Sequence, residues 1–472
     1  MVKKYLMMLW HFIAKNKYKE LMCKMSSKKH NVQGFFEEKF MPIAAKIGNQ
    51  KHLIALRDGI MFTMPLLIIG SLFLILAELP IDAYQSFMAS VFGANWQAFE
   101  GVALNGTIGI ISLIAVFGIA YSLAGSYEVD GKPIDGIPAG VLSVAAFFIV
   151  NIVSVFGTGE EAVEAWKTSV FTSEYLFLAI VISLSVAEIY RFLLQKKFVI
   201  TMPKSVPPTV SRSFTALVPG FVIIVFFMLV RLGFSFTAWS DLATFVQSVL
   251  KKPIELAGSS YIGTVFACLF EHTLWSFGIH GSSIMTAVME PIWISNAGAN
   301  LEAFKAGAQK LPNIVTYSFY ENGVWMGGSG ATLAVVVYML VFAKSKLVKQ
   351  IGRLAIVPGI FNINEPVVFG LPVVLNPFLM IPYILAPIAV TTVSYFGTLI
   401  GIFPYTTGVI IPWTTPYFIS GYLMTGGNIM GVVAQVVLFA VAFIIWLPFI
   451  RIWDKKHYLS ENQVEEKVTA VA

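Results

Sequence analysis

The sequence predicts an all-α integral membrane protein of about ten transmembrane helices with re-entrant hairpin segments. Three observations carry this expectation. Charged residues make up only 12% of the 472-residue chain and apolar residues 57%, whereas a soluble protein has about 25% and 45–50% respectively. The apolar residues come in unbroken blocks, where a transmembrane β-barrel would show ~10-residue alternating segments. Lys and Arg gather in a few of the intervening segments, which is how cytoplasmic loops are marked. Soluble enzymes and disordered tails are excluded.

The first element is a basic flank. Residues 1–58 hold 12 basic side chains against four acidic ones, so the rest of a chain with formal charge +6 is slightly acidic. Such a flank retains the N-terminus in the cytoplasm and contacts anionic membrane lipid; it is not a nucleic-acid surface. Residues 1–56 are therefore expected to form a basic cytoplasmic N-terminal flank with an amphipathic helix. About 20 apolar residues cross the hydrocarbon, and the gaps between ionisable residues place three spans at 59–77, 101–127 and 136–159. A fourth runs from about Tyr175 to Leu194 and a fifth from Arg212 to Phe236. The loop at 78–100 lacks Lys and Arg, whereas 195–212 is basic and Pro-rich, which alternates outside and inside faces and marks a break between two membrane subdomains.

Further spans are expected near 259–278, 282–295 and 329–343, the last ending in Lys344, Lys346, Lys349 and Arg353. Residues 366–450 then run for 85 positions without a charged side chain and carry nine prolines. Two crossings use only about 40 of these, so the remainder is expected to be irregular backbone lining a buried cavity, with twelve crossings as the alternative. The cysteines, Cys23 and Cys268, fit neither a zinc spacing nor a redox pair, so two free thiols and no metal site are expected.

Ionisable residues at membrane depth mark pathways or binding sites. Glu365 lies in GIFNINEPVVFG (Gly359–Gly370). Pro366 biases it away from helical geometry, and a hairpin tip bearing Asn362, Asn364 and Glu365 would offer amides and a carboxylate to a hydroxyl-rich ligand. The competing interpretation is an interfacial carboxylate in water. In FEHTLWSFGIHGSS (Phe270–Ser283), His280 sits between Gly278 and Gly281, where backbone can approach a ligand closely. His272, two helical turns earlier, shares its face only if the helix continues through Gly278. A His and a Glu serve equally for sugar contact or proton coupling. Trp413 in IIPWTTP is either a headgroup-belt residue or an apolar platform in a site. No Walker motif occurs.

Three segments in order, FFEEKFMPIAAKIGNQKHLIALRDGI (Phe35–Ile60), WSFGIHG (Trp275–Gly281) and NINEPVVFG (Asn362–Gly370), make the chain similar to the membrane component, enzyme IIC, of bacterial sugar phosphotransferase systems, in the lactose/cellobiose/diacetylchitobiose family. The resemblance covers Phe35 to His457. It implies a scaffold domain plus a transport domain: 57–238 for dimerisation, 239–451 for sugar binding, and 452–472 as a cytoplasmic tail. It further implies a homodimer in the bacterial plasma membrane with both termini cytoplasmic, a β-linked disaccharide such as cellobiose or diacetylchitobiose as substrate, and no cofactor. A phosphocysteine on a separate enzyme IIB would phosphorylate the 6-hydroxyl. Glu365 would hold that hydroxyl and act as its base, His280 would hydrogen-bond beside it, Trp413 would stack on a pyranose ring, and Asn362, Asn364 and His272 would complete the binding set. The alternative is a proton- or sodium-coupled symporter releasing unmodified sugar, with Glu365, His272 and His280 as its relay.

Overall fold

The computed structural model describes residues 49–77, 82–157, 162–203 and 214–471, together with Lys46 and Ser211. The chain divides into two units, Met1–Gln50 and Lys51–Ala472. Cys23 and most of the expected amphipathic flank lie outside the described residues, as does 204–210 of the Pro-rich connector.

In the second unit, α1 (Lys51–Met61) and α2 (Met64–Ala77) make one apolar run with a turn at Phe62–Thr63. Amphipathic α3 (Asp82–Phe92) occupies what the sequence presents as a loop, followed by α4 (Ala98–Gly106) and α5 (Ile111–Gly125). A hairpin of β1 (Glu128–Val129) and β2 (Lys132–Pro133) leads to α6 (Gly136–Val150), whose first turn is capped by Asp135 accepting from the Ile137 N–H. A second hairpin, β3 (Ser154–Phe156) with β4 (Val163–Ala165), precedes α7 (Leu176–Gln195) and α8 (Leu217–Ser235). The strict all-α expectation is thus corrected by two short ribbons, each closing a polar loop between helices. Short helical turns over 242–258 lead to α9 (Tyr261–Ser276), α10 (Gly281–Lys305), α11 (Leu333–Val341), α12 (Lys346–Ile360), α13 (Glu365–Gly370), α14 (Pro377–Leu399), α15 (Ile419–Met424) and α16 (Ile429–Val471).

Among the described residues six helical stretches are long and apolar enough to cross a membrane: Lys51–Ala77, Ala98–Gly125, Ser173–Gln195, Leu217–Ser235, Pro377–Leu399 and Ile429–Gln463. Their outward faces are apolar, as with Phe221, Met228, Leu229 and Leu232 on α8. The first five expected spans fall on α1–α2, α4–α5, α6, α7 and α8. The second half departs from expectation. The short span expected at 282–295 is the 25-residue α10, with Pro291 inside it. The span expected at 329–343 shrinks to the nine residues of α11. Four residues just before it, Gly327, Gly328, Gly330 and Ala331, have positive φ, which a right-handed helix cannot contain. Prolines also sort by position. Pro366 and Pro377 open helices, where a missing N–H is harmless, and the breakers Pro404, Pro412 and Pro416 fall in the irregular stretch 400–418.

Packing groups the helices. α5 lies against α1, α6 and α7, with α8 on α6 and α7. The α1–α5 crossing is tight because Gly59 and Gly118 face each other: a Cβ on Gly118 would meet the Phe62 ring and the Gly59 carbonyl. In the second half α14 packs between α9 and α16, α16 also supports α11 and α15, and α10 reaches across to α1. Backbone at membrane depth needs internal partners, and buried side chains supply them to 400–418. Asn300 Nδ2 donates to Thr406 O (2.9 Å), Ser318 Oγ to Val409 O (2.6 Å), and Ile410 N–H to Ser71 Oγ (2.8 Å). Gln435 Oε1 accepts from the Phe418 and Gly421 N–H groups.

Candidate functional site

Five segments meet at a cavity of ≈410 Å³: α1, the turn between α9 and α10, the stretch from Tyr317 to Ser329, the turn between α12 and α13, and the irregular segment at Trp413. This volume suits a small molecule. Glu365, His280, Asn362, Asn364 and Trp413, drawn from three distant parts of the sequence, all line it.

α12 stops at Ile360, and the chain turns through Asn362, which adopts φ 61°, a conformation Asn tolerates better than most side chains. Glu365 is the first residue of α13. The expectation of a non-helical Glu365 is corrected here, because Pro366 sits in the opening turn and starts the helix. The carboxylate is exposed on the cavity wall.

The two asparagines are occupied by the protein. Asn362 Oδ1 accepts from the Gly327 N–H (2.9 Å), and its Nδ2 donates to Trp413 O (2.6 Å) and Thr415 O (3.1 Å). Asn364 Nδ2 donates to Ser329 O (2.6 Å) and Ser329 Oγ (2.9 Å), and Ser329 Oγ pairs with the Tyr383 hydroxyl at 2.6 Å. The glycine-rich loop is built for this approach: a Cβ on Gly328 would collide with Asn364, and one on Gly330 with the Tyr383 ring. The amides thereby fix the loops that present Trp413 and Ser329 to the cavity.

His280 caps α10. Its Nδ1 accepts from the Ser283 N–H (3.3 Å) and lies 2.9 Å from Ser283 Oγ. A backbone N–H can only donate, so Nδ1 holds the lone pair and the neutral ring carries its proton on Nε2. The ring packs on Trp275, with centroids 4.4 Å apart. Trp275 Nε1 donates to Ser282 Oγ (2.9 Å), Ser282 Oγ donates to Glu271 Oε1 (2.6 Å), and the Tyr320 hydroxyl donates to Glu271 Oε2 (2.7 Å). Buried Glu271 thus anchors the platform beneath His280.

His272 does not line this cavity. α9 ends at Ser276, Gly278 turns the chain at φ 80°, and the helical face that would join the two histidines is broken. The buried His272 ring donates from Nδ1 to Cys268 O (2.7 Å) and sits 5.6 Å from the Tyr383 ring. Cys268 is a buried free thiol.

The structure adds residues that sequence reasoning missed. Asp58 is held by Arg57 (2.7 Å) on the α1 wall, and Glu290 and Glu321 are buried carboxylates facing the same space. Glu321 Oε1 and Trp325 Nε1 are buried without a hydrogen-bond partner among the described residues, which leaves them open to a water or a ligand hydroxyl. One signal was available: Glu321 is the sole charged residue between Lys310 and Lys344. Together the walls offer three indole rings (Trp275, Trp325, Trp413), several carboxylate acceptors and one imidazole donor. That combination suits a neutral polyhydroxylated ring, whose C–H faces stack on indole and whose hydroxyls donate to carboxylate.

A family model described as "Phosphotransferase system, EIIC" matches residues 57–387. The chain is 43% identical over 449 residues to the lichenan permease IIC component of Bacillus subtilis (strain 168), covering 94% of this chain and 98% of that protein. It is 43% identical over 443 residues to the cellobiose-specific EIIC component of the PTS system of Geobacillus stearothermophilus, covering 92% and 97%. Among solved structures it is similar to the transporter ChbC, the IIC component from the N,N'-diacetylchitobiose-specific phosphotransferase system. The TM-score is 0.85 and the identity 45%, over 91% of this chain and 99% of that one.

Proposed function

The chain belongs to the phosphotransferase-system enzyme IIC family, and from that premise we propose that it is the sugar permease of such a system, carrying a β-linked disaccharide such as cellobiose or diacetylchitobiose. The carrying observation is the single cavity that gathers Glu365, His280 and Trp413 with the unpartnered Glu321 and Trp325 atoms. The sugar's rings stack on indole, with Trp413 the principal platform. Its primary hydroxyl lies between the Glu365 carboxylate and the His280 Nε2–H. When a phosphorylated enzyme IIB docks, that hydroxyl oxygen attacks the phosphorus of the phosphocysteine. The O–P bond forms, the P–S bond breaks, the thiolate leaves, and Glu365 takes the hydroxyl proton. Phosphoryl transfer depends on positioning more than on covalent help, and a carboxylate in reach of the departing proton is its base. Asn362 and Asn364 act as positioning residues, and His272 as packing behind Tyr383.

We assign ten crossings, a count supported by the six long spans together with α6, α9, α10 and the broken stretch ending in α11. An even number returns both ends to one face, which the basic segments identify as cytoplasmic. In support, Asp454 accepts from the Lys344 and Ser345 N–H groups, so two basic segments share one end of the spans. We assign residues 57–238 to a scaffold that dimerises and 239–451 to a transport part that moves against it. The grouping of α1, α5, α6, α7 and α8 apart from α9, α14, α16 and α11 supports this division.

Trp413→Ala should weaken sugar binding by about 1 kcal/mol or more, the scale of an aromatic stacking contact, or roughly fivefold in Kd by calorimetry; unchanged affinity would return Trp413 to the headgroup belt. The function itself is tested by uptake of labelled cellobiose, diacetylchitobiose and lactose into vesicles containing the full chain, with and without phosphorylated enzyme IIB. Phosphosugar inside only with the partner is expected. Free sugar accumulating without it would establish the symporter instead.

A further inference from the structure

A second and larger hollow lies away from the sugar cavity, where the end of α11 meets the middle of α16. Its volume is ≈750 Å³, and its lining includes Phe342 and Lys344 on one side and Phe443, Leu447, Arg451 and Lys455 on the other, with the buried Asp454. We propose that this hollow is a binding site for one anionic phospholipid, with its phosphate held by Lys344, Arg451 and Lys455 and an acyl chain laid along Phe342, Phe443 and Leu447.

The sequence pattern of α16 creates the required polarity. Phe443, Leu447, Arg451, Lys455 and Leu459 recur every four residues, each beside the last on the helix surface, and form a slowly winding stripe that lines the hollow. Along that stripe the chemistry changes from apolar to cationic between Leu447 and Arg451. From Phe443 to Arg451 the stripe rises about 12 Å at 1.5 Å per residue, the scale of an upper acyl chain leading to its headgroup. Across the hollow, Phe342 stands 6.1 Å from Phe443, ring centroid to centroid, and is half exposed. Lys344 follows two residues later on the cationic side.

Asp454 and Glu461 offset at most two of the three positive charges, and both are tied to backbone N–H groups. Asp454 accepts from the Lys344 N–H (3.0 Å) and the Ser345 N–H (2.9 Å), and Glu461 from the Lys346 and Leu347 N–H groups and the Ser345 hydroxyl. Both acids are engaged in capping the start of α12. Lys344, Arg451 and Lys455 form no ion pair among the described residues. Long cationic side chains at a membrane interface commonly reach out to water singly. Here three of them converge over an apolar hollow between two helices, the arrangement by which basic pockets hold lipid headgroups.

The test uses the full-length purified protein and native mass spectrometry with palmitoyl-oleoyl-phosphatidylglycerol or palmitoyl-oleoyl-phosphatidylcholine. Wild type should retain one phosphatidylglycerol per chain at least about tenfold more than phosphatidylcholine, because the juxtamembrane cations attract the anionic headgroup. R451Q/K455Q should lose the preference, and the swap R451K/K455R should keep it. Leu447→Trp, which fills the groove but leaves the cations, should also lose the bound lipid. Equal retention of both lipids by wild type, or undiminished phosphatidylglycerol on R451Q/K455Q and Leu447→Trp, overturns the proposal. Inorganic phosphate raising the Tm as much as phosphatidylglycerol does would also overturn it, leaving an anion site without a lipid.

Discussion

Glu365→Gln is expected to yield a folded permease that binds sugar weakly and makes almost no phosphosugar. The substitution keeps the shape of an exposed side chain in the opening turn of α13, so unfolding free energy should shift by no more than about 0.5 kcal/mol. The amide can still meet a hydroxyl but cannot take its proton. General-base assistance contributes about 10²–10⁴ in rate, so phosphosugar formation with saturating phosphorylated enzyme IIB should fall by at least ~10²-fold. Sugar affinity should fall by roughly tenfold, the difference between a charged and a neutral acceptor. Single-turnover formation of labelled phosphosugar in vesicles separates the two effects. A variant that matched the wild-type rate would remove Glu365 as the base.

The second large effect belongs to Asn362, whose side chain is engaged by the protein's own backbone at the cavity wall. Asn362→Ala deletes the acceptor for the Gly327 N–H and the donor to Trp413 O and Thr415 O. It also places alanine at φ 61°, which adds about 1–2 kcal/mol of backbone strain. Each buried partner left unsatisfied costs about 1–3 kcal/mol. A loss of about 3 kcal/mol or more in stability is expected, visible as a lower thermal midpoint, together with a sugar affinity below that of Trp413→Ala. Asn362→Gly relieves the backbone strain and should recover part of the stability but none of the affinity. Asn362→Asp keeps the acceptor for Gly327 and loses the donor, so the Trp413 loop alone should loosen. If Asn362→Asp bound sugar as wild type does, the clamp would not govern the site.

The first half of the fold could be read from spacing because it obeys a simple rule: charges sit at span ends, and α1–α2, α4–α5, α6, α7 and α8 fill the gaps between them. The second half breaks that rule. Backbone at 319–324 is a π-helix and at 325–332 and 400–418 is irregular, and hydrogen bonds to the last stretch come from Asn300, Ser318, Ser71 and Gln435. Such partners lie up to 339 residues away in sequence, and no local pattern encodes them. The site shows the same division. Glu365 and His280 stood out as ionisable groups in apolar surroundings, whereas the clamping geometry of Asn362 and Asn364 depends on where Gly327 and Ser329 arrive in space. Glu321 was legible by the same charge-gap argument that found Glu365. Asp58 was not, because its place in a basic flank gave no hint that α10 would bring the cavity to α1.

α16 runs for 43 residues, about 64 Å at 1.5 Å per residue, against roughly 30 Å of hydrocarbon. Its apolar portion ends near Arg451, and the remainder continues as the same helix. Mechanically this is a lever: tilting the buried part by ~10° would sweep a point ~30 Å beyond the pivot through about 5 Å. A spectroscopic label on the distal turns therefore reads rearrangement inside the bilayer from the aqueous side, magnified, without touching the cavity.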